Sequence, residues 1–111
     1  MSTARFKVRF TEDAARDLDQ LTDYISANVS PDHARRLADA IERKIESLDR
    51  FPDRGSIPRE IESLGLRNYR QLLVSPYRII YFFDGSTVEI FMIIDGRRDF
   101  QSLLLLRLIG G

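Results

Sequence analysis

The chain has 111 residues, 43% of them hydrophobic and 31% charged, with seven Phe and four Tyr; this is the balance of one ordinary globular domain, expected to span residues 1–111 and to bury its own core. It has no cysteine and one histidine, His33, which excludes disulfides, cysteine zinc sites and His-based metal centres, and no metal or cofactor is expected. Net charge is zero, no run approaches the ~20 apolar residues of a membrane span, and residues 1–7 lack a signal peptide's apolar segment, so a cytoplasmic protein without membrane contact is expected.

The basic side is carried by 15 Arg and two Lys, and it is unevenly placed. Arg5, Lys7 and Arg9 are basic, Glu12 to Arg50 holds ten acids against six bases, and the chain after Asp53 carries eight arginines against six acids. Separate acidic and basic regions suit macromolecular partners.

Phe6, Val8 and Phe10 alternate with the three cations, the period of a strand with one buried face. Thr11 is placed to cap a helix from Glu12 to Asn28, with Ala14, Leu18, Leu21 and Ile25 on a single apolar stripe. Ser30 and Pro31 are an N-cap and N1 pair opening a second helix, whose apolar positions repeat up to Phe51-Pro52. So short a connection makes the two helices an antiparallel hairpin. Phe51 to Gly65 holds Pro52, Gly55, Pro58 and Gly65 and reads as a crossing loop. Strands are expected next within Arg67–Ser75, over Tyr77–Phe83 and over Thr87–Asp95, the last two joined by Asp84-Gly85-Ser86, a hairpin signal. Ser102 to Ile109 is either a short C-terminal helix or an extended arm.

The fold class is therefore α+β, in the order β-α-α-β-β-β: an N-terminal strand, a helical hairpin, then a three-stranded antiparallel meander, all strands in one sheet. Tyr77–Phe83 is apolar at both alternations apart from Arg78, so both faces of that strand need cover, from the C-terminal segment or from another protein.

With this order in place, the chain resembles the toxins of the RelE/ParE superfamily of bacterial toxin-antitoxin pairs. The resemblance rests on Ala14-Ala15-Arg16-Asp17-Leu18, on Leu48-Asp49-Arg50-Phe51-Pro52 with Gly55, on Tyr77-Arg78-Ile79-Ile80-Tyr81 and on Asp95-Gly96-Arg97-Arg98-Asp99. It implies one of two activities. RelE-like toxins are ribosome-dependent ribonucleases, whose chemistry needs proton transfer at two oxygens and stabilisation of phosphorane charge. Their site combines arginines on and after the hairpin with lysines on the preceding strand and a tyrosine near the C-terminus. Arg78 and Arg98 match the arginines, but Arg67–Ser75 has no lysine and Leu104 stands near the tyrosine position.

ParE-like toxins inhibit DNA gyrase by binding it, and the Phe-Pro and Arg-Arg-Asp motifs look more like that branch. The expectation is thus a ParE-like toxin with no catalytic residue, no direct nucleic-acid contact and a ParD-like antitoxin in a hetero-oligomer; a ribonuclease and a non-toxic antitoxin-binding relative are the alternatives. Arg78, Arg97 and Arg98 are the candidates for target binding. Asp95 and Asp99 are the candidates for a structural ion pair, with Arg78 as one possible partner. In this superfamily the antitoxin lays a helix against the toxin, and Leu21, Tyr24, Leu37 and Ile41 are the candidates for edging its groove.

Overall fold

The computed structural model describes residues 5–110. Strand β1 (Lys7–Phe10) leads into helices α1 (Glu12–Asn28) and α2 (Pro31–Glu46), with a 3-10 turn at Ser47–Asp49 and then a short helix α3 (Arg59–Ser63). Strands β2 (Tyr69–Val74), β3 (Tyr77–Phe83) and β4 (Thr87–Asp95) and helix α4 (Phe100–Leu108) complete the chain. The caps are those expected: Thr11 Oγ1 accepts from the Ala14 N–H at 3.0 Å, and Ser30 Oγ accepts from the His33 N–H at 3.0 Å.

One four-stranded sheet has the order β1-β4-β3-β2, so the hairpin β3–β4 lies at its centre. The meander is antiparallel, and β1 lies parallel to β4 through Lys7–Phe10 against Thr87–Ile90. Helices α1 and α2 and the 3-10 turn cover one face, where Ala14, Ile41, Ile45 and Leu48 pack on Leu72, Ile79, Tyr81, Val88, Ile90 and Ile93. The second face is covered from within the chain, by Ile61 of α3 and by Phe100 and Leu104 of α4 on Ile80, Met92 and Ile94. Each large side chain so buried contributes roughly 1.5–3 kcal/mol.

A β-bulge makes this double-sided packing work. Ile80 pairs with Met92 while Tyr81 pairs with Ile90, which leaves Phe91 as the extra residue. Strict alternation would put Val88, Ile90, Met92 and Ile94 on one face. The inserted residue resets the parity, so Met92 and Ile94 turn to the α3/α4 face and Ile93 joins Val88 and Ile90 under α1.

Three expectations need correction. The stretch Phe51–Gly65 is not all loop: Pro58 opens α3, whose one buried residue, Ile61, seals the second core. The second helix stops as an α-helix at Glu46, and its last turn tightens to 3-10 before Phe51. Phe10 is 38% exposed rather than buried with Phe6 and Val8, because it stands where β1 turns away from the sheet edge. The C-terminal segment takes the helical form of its two alternatives.

The crossing loop is pinned at Gly55. Its N–H donates to the hydroxyl of fully buried Tyr81 at 2.9 Å, and a Cβ there would lie 2.6 Å from both that oxygen and the Gln71 carbonyl. Gly55→Ala is expected to lower stability by about 2–3 kcal/mol through this overpacking, read as a shifted urea midpoint at unchanged slope.

Candidate functional site

The hairpin arginine is consumed by the fold. Arg78 alternates with Ile80 and so points to the α3/α4 face, where its Nη1 and Nη2 donate to Glu60 Oε2 and Oε1 at 3.1 and 3.0 Å. Its Nε donates to Gln71 Oε1 at 2.8 Å, and its guanidinium lies 4.2 Å from the centre of the Phe100 ring. Only 12% of the side chain is exposed. The Arg78 hydrogen bonds hold the Glu60 carboxyl below the usual carboxylate range, against the opposing effect of burial. Arg78 thus fastens α3, α4 and β2 to β3, and its partner is Glu60, not Asp95 or Asp99.

The turn after β4 rests on the stem of that arginine. Gly96 donates its N–H to the Pro76 carbonyl at 2.7 Å, and a Cβ there would approach that oxygen to 2.9 Å and Arg78 Cγ and Cδ to 3.0 and 3.1 Å. Asp95 organises the residues after it: it accepts from the Arg97 N–H at 2.9 Å and from Arg97 Nε and Nη2 at 2.9 and 2.6 Å. The Arg97 side chain, then its backbone N–H, pull the Asp95 carboxyl down to about 2. Asp99 forms no ion pair among the described residues; it caps α4, accepting from the Ser102 N–H at 3.1 Å and the Ser102 hydroxyl at 2.8 Å. Between these two fixed carboxylates the exposed guanidinium of Arg98 has no partner among the described residues.

The other side of that turn borders a groove of about 480 Å³ between α1, the outer edge of β4 and α4. It exists because β1 stops at Phe10, where the Thr11 N–H takes the Ile90 carbonyl at 3.0 Å, while β4 runs on to Asp95. Two side chains close the strand edge beyond that point. Asp17 of α1 accepts the Ile93 N–H at 3.0 Å, and Arg107 of α4 donates to the Phe91 carbonyl at 3.2 Å. The two also pair with each other at 2.7 and 3.1 Å, and Asp17, with a smaller effect from Asp13, keeps the Arg107 guanidinium above its ordinary pKa.

An antiparallel ladder alternates in direction, so the Ile93 carbonyl and the Asp95 N–H face this groove as well. Leu21 and the 63%-exposed Tyr24 form one wall, and Arg97, Arg98 and Arg107 stand around it.

Of the residues singled out in the sequence, the fold brings together Leu21, Tyr24, Asp95, Arg97 and Arg98. Arg78 does not line the groove; its guanidinium is largely buried on the α3/α4 face. Ile41 is fully buried on the inner side of α2, Leu37 packs half-buried against the same core, and neither lines the groove. The basic row on β1 is partly neutralised, Arg5 by Asp49 at 2.6 Å and Arg9 by Glu89 at 3.1 Å. Asp17 and Arg107 are not among the sequence candidates. Asp17 sits in the Ala14–Leu18 motif, and a carboxylate beside an apolar helical stripe is the signal that could have found it.

A sheet covered by a helical hairpin and a C-terminal helix, with an arginine-bearing turn after its central hairpin, is the fold of the RelE/ParE superfamily of toxins. The family described as ParE toxin of type II toxin-antitoxin system, parDE, matches residues 8–100, and the chain belongs to that family. No curated protein matches it. Among solved structures, a chain of the chromosomal ParDE system from P. aeruginosa is 22% identical with a TM-score of 0.67, over 83% of this chain and 97% of that one. A chain of the toxin-antitoxin complex RelBE2 from Mycobacterium tuberculosis is 24% identical with a TM-score of 0.58, over 85% and 94%.

Arg78→Ala is expected to cost about 2–3 kcal/mol in urea unfolding, since it leaves Glu60 and Gln71 half-buried without their donor. The Asp95 carboxyl is expected to titrate in NMR near 2 and to move up toward its ordinary 3.8 in Arg97→Ala. Because the folded value is the lower one, the turn's contribution to stability is complete above about pH 4 and is lost as pH falls toward 2.

Proposed function

We propose that this chain is the toxin of a type II toxin-antitoxin module that, when free, inhibits DNA gyrase by binding it, and that in the bacterial cytoplasm it is held inactive by a ParD-like antitoxin. The observation that carries this reading is the state of Arg78. A ribonuclease of the RelE kind needs that guanidinium free to meet a phosphate, and here a bidentate carboxylate, an amide and a ring occupy it. Leu104, near the position of the RelE tyrosine, is fully buried in the core. What the turn offers is an exposed arginine, Arg98, without a partner among the described residues, on a backbone held by Asp95 and Asp99, which suits recognition of a protein surface.

The groove supports the neutralising half of the reading. The Ile93 carbonyl and Asp95 N–H, without partners among the described residues, a Leu21–Tyr24 wall and the exposed Arg98 fit an extended or helical segment that carries a carboxylate. Such a segment would lie against Arg98 and so mask the target-binding end.

Induction of the free protein in bacteria is expected to arrest growth with DNA-damage signalling. Arg98→Ala is expected to relieve that arrest at least tenfold in colony counts while the antitoxin encoded by the neighbouring frame still co-purifies. Tyr24→Ala is expected to do the converse, weakening antitoxin binding about tenfold with toxicity kept. Rapid translation arrest with cleaved mRNA, or undiminished toxicity of a folded Arg98→Ala protein, contradicts the proposal.

A further inference from the structure

Among the described residues, seven arginines are paired with carboxylates: Arg5, Arg9, Arg16, Arg35, Arg78, Arg97 and Arg107. Three cations left out of that pairing converge on one place. Arg43 and Lys44 of α2 and Arg54 of the crossing loop line an open hollow of about 410 Å³ floored by Ala40, and no acidic side chain lines it.

The convergence is built by two separate segments. The loop is folded onto the end of α2 by the Phe51 N–H to the Ser47 carbonyl at 3.0 Å and by the Arg54 N–H to the Phe51 carbonyl at 3.1 Å. Arg54 Nη1 then donates to Ser47 Oγ at 2.6 Å, and that hydroxyl donates to the Lys44 carbonyl at 2.6 Å. Arg43 spends only its Nε, on the Asp39 carbonyl at 3.4 Å. The remaining guanidinium N–H groups and the Lys44 ammonium have no partner among the described residues.

Arg36 and Arg43 stand two turns apart on one face of α2, with Asp39 between them. The negative end of the α2 dipole favours Arg43 and Lys44 in its last turn. It does not explain Arg54, which another segment delivers into the same hollow.

We propose that this hollow binds the phosphate backbone of duplex DNA. It contains no aromatic side chain on which a base could stack, so it suits a backbone rather than the bases of a single strand. It has no apolar anchor and no strand edge, so an acidic peptide would be held by charge alone while losing its chain entropy. A duplex is stiff already and carries one charge per ~1.7 Å of axis. Arg36, seven residues before Arg43, places a further exposed cation about 10 Å along the helix. The inference departs from the expectation of no nucleic-acid contact and does not depend on which macromolecule the toxin inhibits.

The test is fluorescence anisotropy of a labelled 16-base-pair duplex of random sequence (about 54 Å of axis) with the full chain, across a salt series. The net charge of zero makes generic attraction a small background. Three phosphate contacts give a log–log slope of about −2.7, or roughly a 40-fold loss between 50 and 200 mM salt. R43Q/K44Q/R54Q is expected to weaken binding at least tenfold and flatten the slope, whereas R16Q/R35Q, which removes two exposed paired arginines, stays within twofold. If the triple variant has lost the wild-type urea midpoint, K44Q alone is used, with a slope smaller by about 0.9. Wild-type binding by a folded triple or K44Q variant overturns the proposal. So does displacement of the duplex by polyglutamate as effectively as by unlabelled DNA at equal charge, which would make the hollow a site for acidic peptides.

Discussion

The ion pair of Asp17 with Arg107 is the contact on which the rest of the molecule depends, because it is where the three layers meet. The bulge at Phe91 lets one strand feed two cores, and beyond Ile90 the outer edge of that strand has lost β1 as its ladder partner. A backbone N–H and a carbonyl would then stand unpaired beside apolar layers, at a cost of the order of 1–3 kcal/mol each. Asp17, arriving from the layer above, takes the Ile93 N–H, and Arg107, arriving from the layer below, takes the Phe91 carbonyl. Their side chains are only 15% and 22% exposed and pair with one another, so neither charge is left uncompensated. The clasp closes part of the β4 edge and leaves the rest, from Ile93 to Asp95, as a groove.

Two arginines that look alike in the sequence have opposite fates for the same geometric reason. Arg78 lies inside a central strand, so its side chain must enter a covered face, and there it is neutralised, hydrogen-bonded and stacked. Arg98 lies beyond the strand in a turn whose two carboxylates are already committed, Asp95 to Arg97 and Asp99 to the first turn of α4. Nothing remains nearby to pair with it among the described residues. The first becomes a clamp that supports the turn through Gly96, and the second becomes the group the turn presents.

Much of this is legible in the chain because the relevant signals are local. The period of two at Phe6–Phe10, the stripe Ala14–Ile25, the caps at Thr11 and Ser30 and the Asp84-Gly85-Ser86 turn each depend on neighbours within a few residues. The double cover of the hairpin is legible too, from the lack of a polar alternation in Tyr77–Phe83. That same lack hides the bulge, since a strand apolar on both sides carries no mark of its parity. Helix α3 escapes a sequence reading because five residues between Pro58 and Gly65 hold one buried side chain, and Glu60 meets its partner 18 residues away. The clasp joins residues 90 positions apart, a distance at which sequence periodicity says nothing. Ile41 and Leu37 pass for surface positions in the sequence because an apolar helical position reads the same whether it meets its own core or a partner's.

Inhibition by binding, without bond-breaking at the hairpin, is the core of this account, and a cleavage assay with purified gyrase addresses it most directly. Plasmid DNA, gyrase and the free chain would be incubated and then treated with detergent and protease, so that any trapped cleavage complex shows up as linear DNA. The account expects linear product that rises with the concentration of the chain and is missing when gyrase is left out. Unimpaired supercoiling at an excess of folded protein, together with cutting of mRNA on programmed ribosomes, would contradict it.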